Sequence, residues 1–95
     1  MRLVWSDGAQ ADLLAIYRYV AERNRAAAQG IMNDISGAAR RLVMFPQLGR
    51  PSDHIGIRLL QVPGRHYLLP YRLDGGDIEI LAVFDERQER PPEWT

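Results

Sequence analysis

The sequence predicts an α+β fold in which a helical hairpin packs on one face of an antiparallel sheet, in the order β-α-α-β-β-β. Three observations carry this. Apolar residues recur at helical spacing through two successive segments of the first half. After Pro51 the period changes from 3.6 to 2. Two short turns, "PGRH" (Pro63–His66) and "DGGD" (Asp74–Asp77), then separate alternating runs, the signature of a meander of hairpins.

The elements follow in order. Arg2–Trp5 reads as a short strand. Ser6 is placed to cap a helix over Asp7–Arg23, with Asp7 favoured by the helix dipole. Ala9, Leu13, Ile16, Tyr17 and Val20 form its apolar stripe. Asn24 caps a second helix whose stripe is Ala28, Ile31, Ile35, Ala38 and Leu42, so the two helices form a tight hairpin. Gly30 and Gly37 lower its helix propensity and are expected to allow close approach of backbones. Arg40 and Arg41 stand in its last turn, where the dipole favours cations. The stretch "FPQLGRP" ends the helix at Pro46 and supplies turn residues at Gly49 and Pro51. Three strands follow, "GIRLLQV", "YLLPYRL" and "IEILAVFD", and residues 86–95 form a polar, proline-containing tail to one domain spanning 1–95.

The turns fix a register. Val62 pairs with Tyr67, Leu60 with Leu69 and Arg58 with Tyr71. In the second hairpin Leu73 pairs with Ile78, Tyr71 with Ile80, Leu69 with Ala82 and Tyr67 with Phe84. One face then holds Leu60, Val62, Tyr67, Leu69, Tyr71, Ile80, Ala82 and Phe84 and lies under the helices. The other holds Leu59, Gln61, His66, Leu68, Pro70, Arg72, Glu79, Leu81, Val83 and Asp85, with nothing evident to cover it. It sets Arg72 opposite Glu79 and His66 opposite Asp85. Pro70 conflicts with a central strand, which needs every backbone donor, so either a bulge occurs there or its nitrogen faces a gap in the ladder. With a bulge, half of the second register shifts.

Composition excludes several classes. Net charge is zero, so no strong field draws nucleic acid or membrane. There is no cysteine, hence no disulfide framework or thiolate metal site, and His54 and His66 alone do not make a metal centre. No apolar run approaches a membrane span and the start has no secretory pattern, so the expected location is the cytoplasm. No cofactor motif is present.

The second sheet face offers one set of groups that could cleave RNA through its 2′-hydroxyl: His66, Arg72 and Asp85, with Glu79 beside them and Arg87 just past the strand. The same residues also read as cross-strand ion pairs on a solvated face. Tyr17 and Tyr19 cannot both face the core, and Trp94 in a polar tail is expected to dock on the domain or on a partner.

The ordered set "ADLLAIYRYVAER", "FPQLGRP", "GIRLLQV", "YLLPYR", "IEILAVFDER" and "RPPEW" resembles the ParE/RelE superfamily of toxins from type II toxin–antitoxin modules over nearly the whole chain. "FPQLGR" resembles the Phe-Pro-x-x-Gly-Arg signature of its ParE-like branch. The resemblance implies a plasmid-stabilisation type of toxin that inhibits DNA gyrase by binding and is held inactive by a cognate antitoxin. It places the target contact on Arg87, Arg90 and Trp94, and antitoxin contacts on Tyr17, Tyr19, Leu59, Leu81 and Val83. Two other readings stand beside it: a ribosome-dependent mRNA endoribonuclease of the RelE-like branch, using His66, Arg72, Asp85 and Arg87, and a degenerate toxin that serves only as a binding partner. Relatives that cut RNA are strongly basic and several carry His where this chain has Asp85, so the neutral charge and the acid weigh against the nuclease.

Overall fold

Both helices begin at the residues that cap them. Ser6 Oγ accepts the Ala9 N–H at 3.1 Å, and Asn24 Oδ1 accepts the Ala27 N–H at 2.9 Å. The computed structural model describes residues 1–88. In chain order these form β1 (Leu3–Trp5), α1 (Asp7–Ala21), α2 (Arg25–Met44), β2 (Arg50–Pro51), β3 (Arg58–Gln61), β4 (Tyr67–Asp74), β5 (Asp77–Ile80) and β6 (Phe84–Asp85). α1 closes slightly earlier than the apolar pattern predicts, because the Arg23 and Asn24 amides both turn back to the Val20 carbonyl.

The predicted stripe of α2 is buried throughout, with Ala39 added to it, while α1 contributes Ala9 and the flanking Leu13, Ile16 and Val20. The sheet side of the core is Leu60, Val62, Leu69, Tyr71, Ile78 and Ile80. Fully buried side chains such as Ile35, Leu42, Leu69 and Ile80 each contribute about 1.5–3 kcal/mol relative to exposure. Gly30 and Gly37 do not serve the close backbone approach predicted for them. A Cβ on either would meet only a flexible arginine end, Arg65 at 3.7 Å or Arg40 at 3.9 Å, so no backbone approach requires them.

The sheet is mixed. Its order is β1-β5-β4-β3-β2, with β6 also pairing β4. β3–β4 and β4–β5 keep the predicted antiparallel register, Arg58 to Tyr71 and Tyr71 to Ile80. β1 joins as a parallel strand, Leu3 opposite Ile78 and Trp5 opposite Ile80. Pro51, expected as a turn residue, lies with Arg50 in a short edge strand on β3, where a missing N–H is tolerated. The Asp74–Asp77 hairpin turns through Gly75 and Gly76, both at positive φ (58° and 89°).

The last predicted strand is broken, and Pro70 is the reason. Leu81 N–H donates to the Pro70 carbonyl at 2.8 Å, but Pro70 has no proton to return. The partner strand therefore leaves the ladder over Leu81–Val83 and re-enters one residue out of phase. Beyond the break Leu68 pairs with Phe84 and Tyr67 with Asp85, where Leu69–Ala82 and Tyr67–Phe84 were expected. The shift is that of a β-bulge. It turns Val83 into the helix-side core and carries Phe84 to the other face, beside Leu68. His66 consequently lies opposite Glu86, whose N–H donates to the His66 carbonyl at 2.7 Å, and not opposite Asp85. The second face is also less open than expected, since Leu59, Leu68, Pro70 and Phe84 on it are all buried.

The backbone groups freed by the bulge are taken up by the first helix. Asp12 Oδ2 accepts the Val83 N–H at 2.9 Å, and Ser6 Oγ donates to the Leu81 carbonyl at 3.1 Å. Among the described residues no helix is long and apolar enough to cross a membrane. Replacing Asp12→Ala strands the N–H of Val83, which is only 3% exposed. The expected cost is about 1–3 kcal/mol of unfolding free energy, read from urea titration of the wild type and the variant.

Candidate functional site

The segment between α2 and β3 is held by one buried side chain. The Phe45 N–H closes α2 on the Arg41 carbonyl at 2.9 Å, and the chain then turns through Leu48, whose N–H donates to Phe45 O. Tyr71 Oη donates to the Pro46 carbonyl at 2.8 Å and accepts the Gly49 N–H at 2.9 Å. Arg58 Nη1 donates to the Gly49 carbonyl at 2.7 Å. Burial pushes the Tyr71 phenol above its usual pKa, against smaller opposing effects of the Gly49 amide and the Arg58 charge. Gly49 is a close-approach glycine and not a turn glycine. A Cβ there would stand 2.6 Å from Tyr71 Cε1 and 2.8 Å from the Leu59 carbonyl oxygen. With its backbone clamped, the segment turns Met44, Phe45 and Leu48 to solvent beside Leu73. An open depression of about 450 Å³ lies alongside, between Arg58, Arg72 and the loop at Ser52–Ile57. That loop is stitched by Ser52 Oγ, which donates within reach of the His54 and Ile57 carbonyls and accepts the His54 N–H.

Of the four groups predicted for RNA cleavage, His66, Asp85 and Arg87 lie near one another and Arg72 stands apart. Arg72 Nε donates to Glu79 Oε1 at 2.8 Å, as the register predicts. His66 lies six positions away at the other end of β4, which at strand rise is about 20 Å. Its Nδ1 is 3.5 Å from Glu86 Oε1, a carboxylate that also accepts Gln61 Nε2 at 2.9 Å. Asp85 is clasped by Arg87 through the backbone N–H (2.9 Å), Nε (3.1 Å) and Nη2 (2.8 Å). The side-chain hydrogen bond from Arg87 is the main cause of an Asp85 pKa below the ordinary aspartate range, with desolvation opposing it. Among the described residues no cluster of three or more His, Cys, Asp or Glu could hold a metal ion.

The residues predicted for partner contact are scattered. Tyr19 is 64% exposed with the Arg23 guanidinium 4.5 Å over its ring, Tyr17 and Leu81 are half-buried, and Leu59 and Val83 are buried. Arg87 is on the surface in its clasp with Asp85, while Arg90 and Trp94 lie outside the described residues. Two contributors went unrecognised in the sequence. Asp12 carried a usable signal, an acid at helical spacing from Ala9 and Ile16 and so near the apolar stripe. Tyr71 carried another, since a tyrosine placed in a core needs a partner for its hydroxyl.

A helix pair laid on a sheet, with a Phe-Pro-x-x-Gly-Arg segment bolted to the central strand, defines a small α+β protein of the toxin class of toxin–antitoxin modules. The match to known proteins is specific: residues 3–90 fit the family described as ParE toxin of type II toxin-antitoxin system, parDE, and the chain belongs to it. It is similar to Toxin ParE3 of Caulobacter vibrioides, at 33% identity over 89 residues covering 90% of this chain and 87% of the relative. It is also similar to a solved chain of the chromosomal ParDE TA system from P. aeruginosa, with a TM-score of 0.79 and 34% identity, covering 90% of this chain and 95% of that one.

Tyr71→Phe leaves both Gly49 N–H and Pro46 C=O without their partner and is expected to cost about 1–3 kcal/mol. Gly49→Ala is expected to cost more, because the methyl group meets backbone as well as ring; denaturant titration of both variants checks the order. The Asp85 pair predicts an acid effect. A carboxylate with a depressed folded-state pKa stabilises above its unfolded value, about 3.9, and the contribution is lost as pH falls through the folded value. Asp85→Asn should therefore lower stability near neutrality and flatten the loss of stability below about pH 4, measured by thermal melts across pH.

Proposed function

We propose that this ParE-type toxin inhibits DNA gyrase stoichiometrically by binding, stalls the enzyme on cleaved DNA in the cytoplasm, and is neutralised by a cognate antitoxin. The observation that carries the non-catalytic reading is Asp85. A nuclease would need a proton donor or a cation facing the scissile phosphate, and this position holds an acid kept ionised by its own neighbour, Arg87. Arg72 is bonded to Glu79, and His66, which stands 3.5 Å from Glu86, lies just before the opposite end of β4. The neutral net charge supports the same reading, because RNA-cleaving relatives of this fold are basic. The antitoxin is supported by family membership and by the similarity to a chain of a ParDE system.

Arg87, Arg90 and Trp94 are the residues we assign to the gyrase contact, with arginine forks and a large aromatic suited to interface hot spots. A chain ending at Glu86 is expected to lose inhibition of supercoiling by purified gyrase while still binding the antitoxin. Full inhibition by that folded, shortened chain would remove the C-terminal segment from the active surface. His66→Ala should change toxicity less than about twofold, whereas loss of a general acid or base costs about 100-fold or more. Cleavage of mRNA in a purified translation system, abolished by His66→Ala, would establish the ribonuclease reading instead.

A further inference from the structure

Five of the eight large hydrophobic side chains exposed among the described residues form one continuous patch. Met44, Phe45, Leu48 and Leu73 border a shallow depression of about 550 Å³. Gln47 and Leu73 also line the depression of about 450 Å³ beside Arg58, which carries the patch on to the fully exposed Ile55. The other three, Met1, Leu14 and Tyr19, belong to the N-terminus and α1. Apolar surface gathered in this way marks an interaction site, whereas exposed residues scattered singly do not.

The centre of the patch projects. Met44 is 78% and Phe45 56% exposed, at the very end of α2. The backbone beneath them needs no ordering on binding, because Tyr71 Oη and the amides of Phe45 and Leu48 already hold it. A projecting aromatic side chain is buried by a pocket on the opposite surface, and a pocket belongs to a folded partner, not to an extended segment.

The charge around the patch narrows the partner further. Arg41 and Arg50 stand beside Leu48, and Arg58 lines the depression that reaches Ile55. Arg2, Arg65, Arg72 and Arg87 each have a carboxylate partner. Arg41, Arg50 and Arg58 have none among the described residues, and Arg58 donates only to the Gly49 carbonyl. Against these stand Asp53, in the loop beside Ile55, and Asp74, which already faces Arg72 at 3.9 Å, so the rim carries a positive excess. A second copy seated on the same patch across a two-fold axis would crowd two such rims together. A phosphate backbone would use the arginines and leave the apolar residues in water. An acidic protein surface with an apolar pocket satisfies both parts.

We propose that this patch is a second contact with gyrase, in which Met44 and Phe45 enter an apolar pocket whose acidic rim meets Arg41, Arg50 and Arg58. The proposal rests on the gyrase reading above and adds a surface separate from the C-terminal segment. Leu73 lies near the end of β4 remote from Tyr67, and it is at Tyr67 that β6 pairs, just ahead of Arg87.

The test uses the full chain and purified gyrase. Inhibition of supercoiling is compared for the wild type, Met44→Ser/Phe45→Ser, and Leu14→Ala as control, with folding checked by thermal melts. The double variant should need about tenfold more protein or more for half-inhibition, and the control should stay within about twofold of the wild type. Binding of Arg41→Gln/Arg50→Gln to gyrase should fall less steeply with salt than that of the wild type. Independently of any variant, hydroxyl-radical oxidation of Met44 and Phe45 in the wild type should slow several-fold in the complex with gyrase. Full inhibition by the folded double variant, an unchanged salt dependence, or undiminished oxidation in the wild-type complex overturns the proposal and leaves the gyrase reading intact. Equal protection by plasmid DNA alone, or by concentrating the toxin alone, also overturns it, giving the patch to DNA or to a second copy. Absence of any inhibition by the wild type overturns both readings.

Discussion

Pro70 has no proton to give, and much of the sheet is arranged around that fact. It sits in the central strand, where a neighbour's carbonyl would otherwise receive an N–H. The neighbour responds by stepping out over three residues and returning one position late. From that step follow the inward turn of Val83, the outward turn of Phe84, and the meeting of His66 with Glu86. The unpaired groups of the step would each cost a few kcal/mol if left dry in the interior. Ser6 and Asp12 meet them from the first helix, so the irregularity of the sheet becomes the joint between the two layers.

Tyr71 performs the matching task on the other side of the same strand. Its ring fills the core, and its hydroxyl takes a donor and an acceptor from a segment with no regular structure of its own. A loop held this way can expose Phe45 and Leu48 without collapsing onto the core, because its shape is set by backbone bonds and not by burial of its side chains. The glycine and arginine of the motif have separate reasons. Gly49 makes room for the ring, and Arg50 begins the strip of edge strand that stops short of Gln61.

The helices, the first hairpin, the turn end of the second and most of the inner face were legible because they depend on local rules: caps, a stripe of period 3.6, alternation, and, in the second hairpin, paired glycines in a two-residue turn. The parallel docking of β1 was not, since nothing in three residues names a partner strand so far along the chain. The bulge was legible as an alternative at Pro70, but its direction was not. Strand period alone does not say whether the proline strand or its neighbour absorbs the extra residue, or which side chains will receive the freed amides. For the site, sequence placed His66, Arg72, Asp85 and Arg87 on adjoining strands, yet the one-residue step and the length of β4 decide which of them meet.

The docking of β1 also orders events in time. Its first contacts join Arg2 to Asp77 and Ile78, and the Arg2–Asp77 bond spans 75 residues of sequence. Closing so long a loop has an entropic cost that must be met before the strand gains anything from pairing, which slows folding in chains rich in such contacts. During synthesis the helix hairpin is complete long before β5 exists to receive β1. β1 waits unpaired until β5 has been made, so the newly made chain completes its sheet well after its helix hairpin has formed.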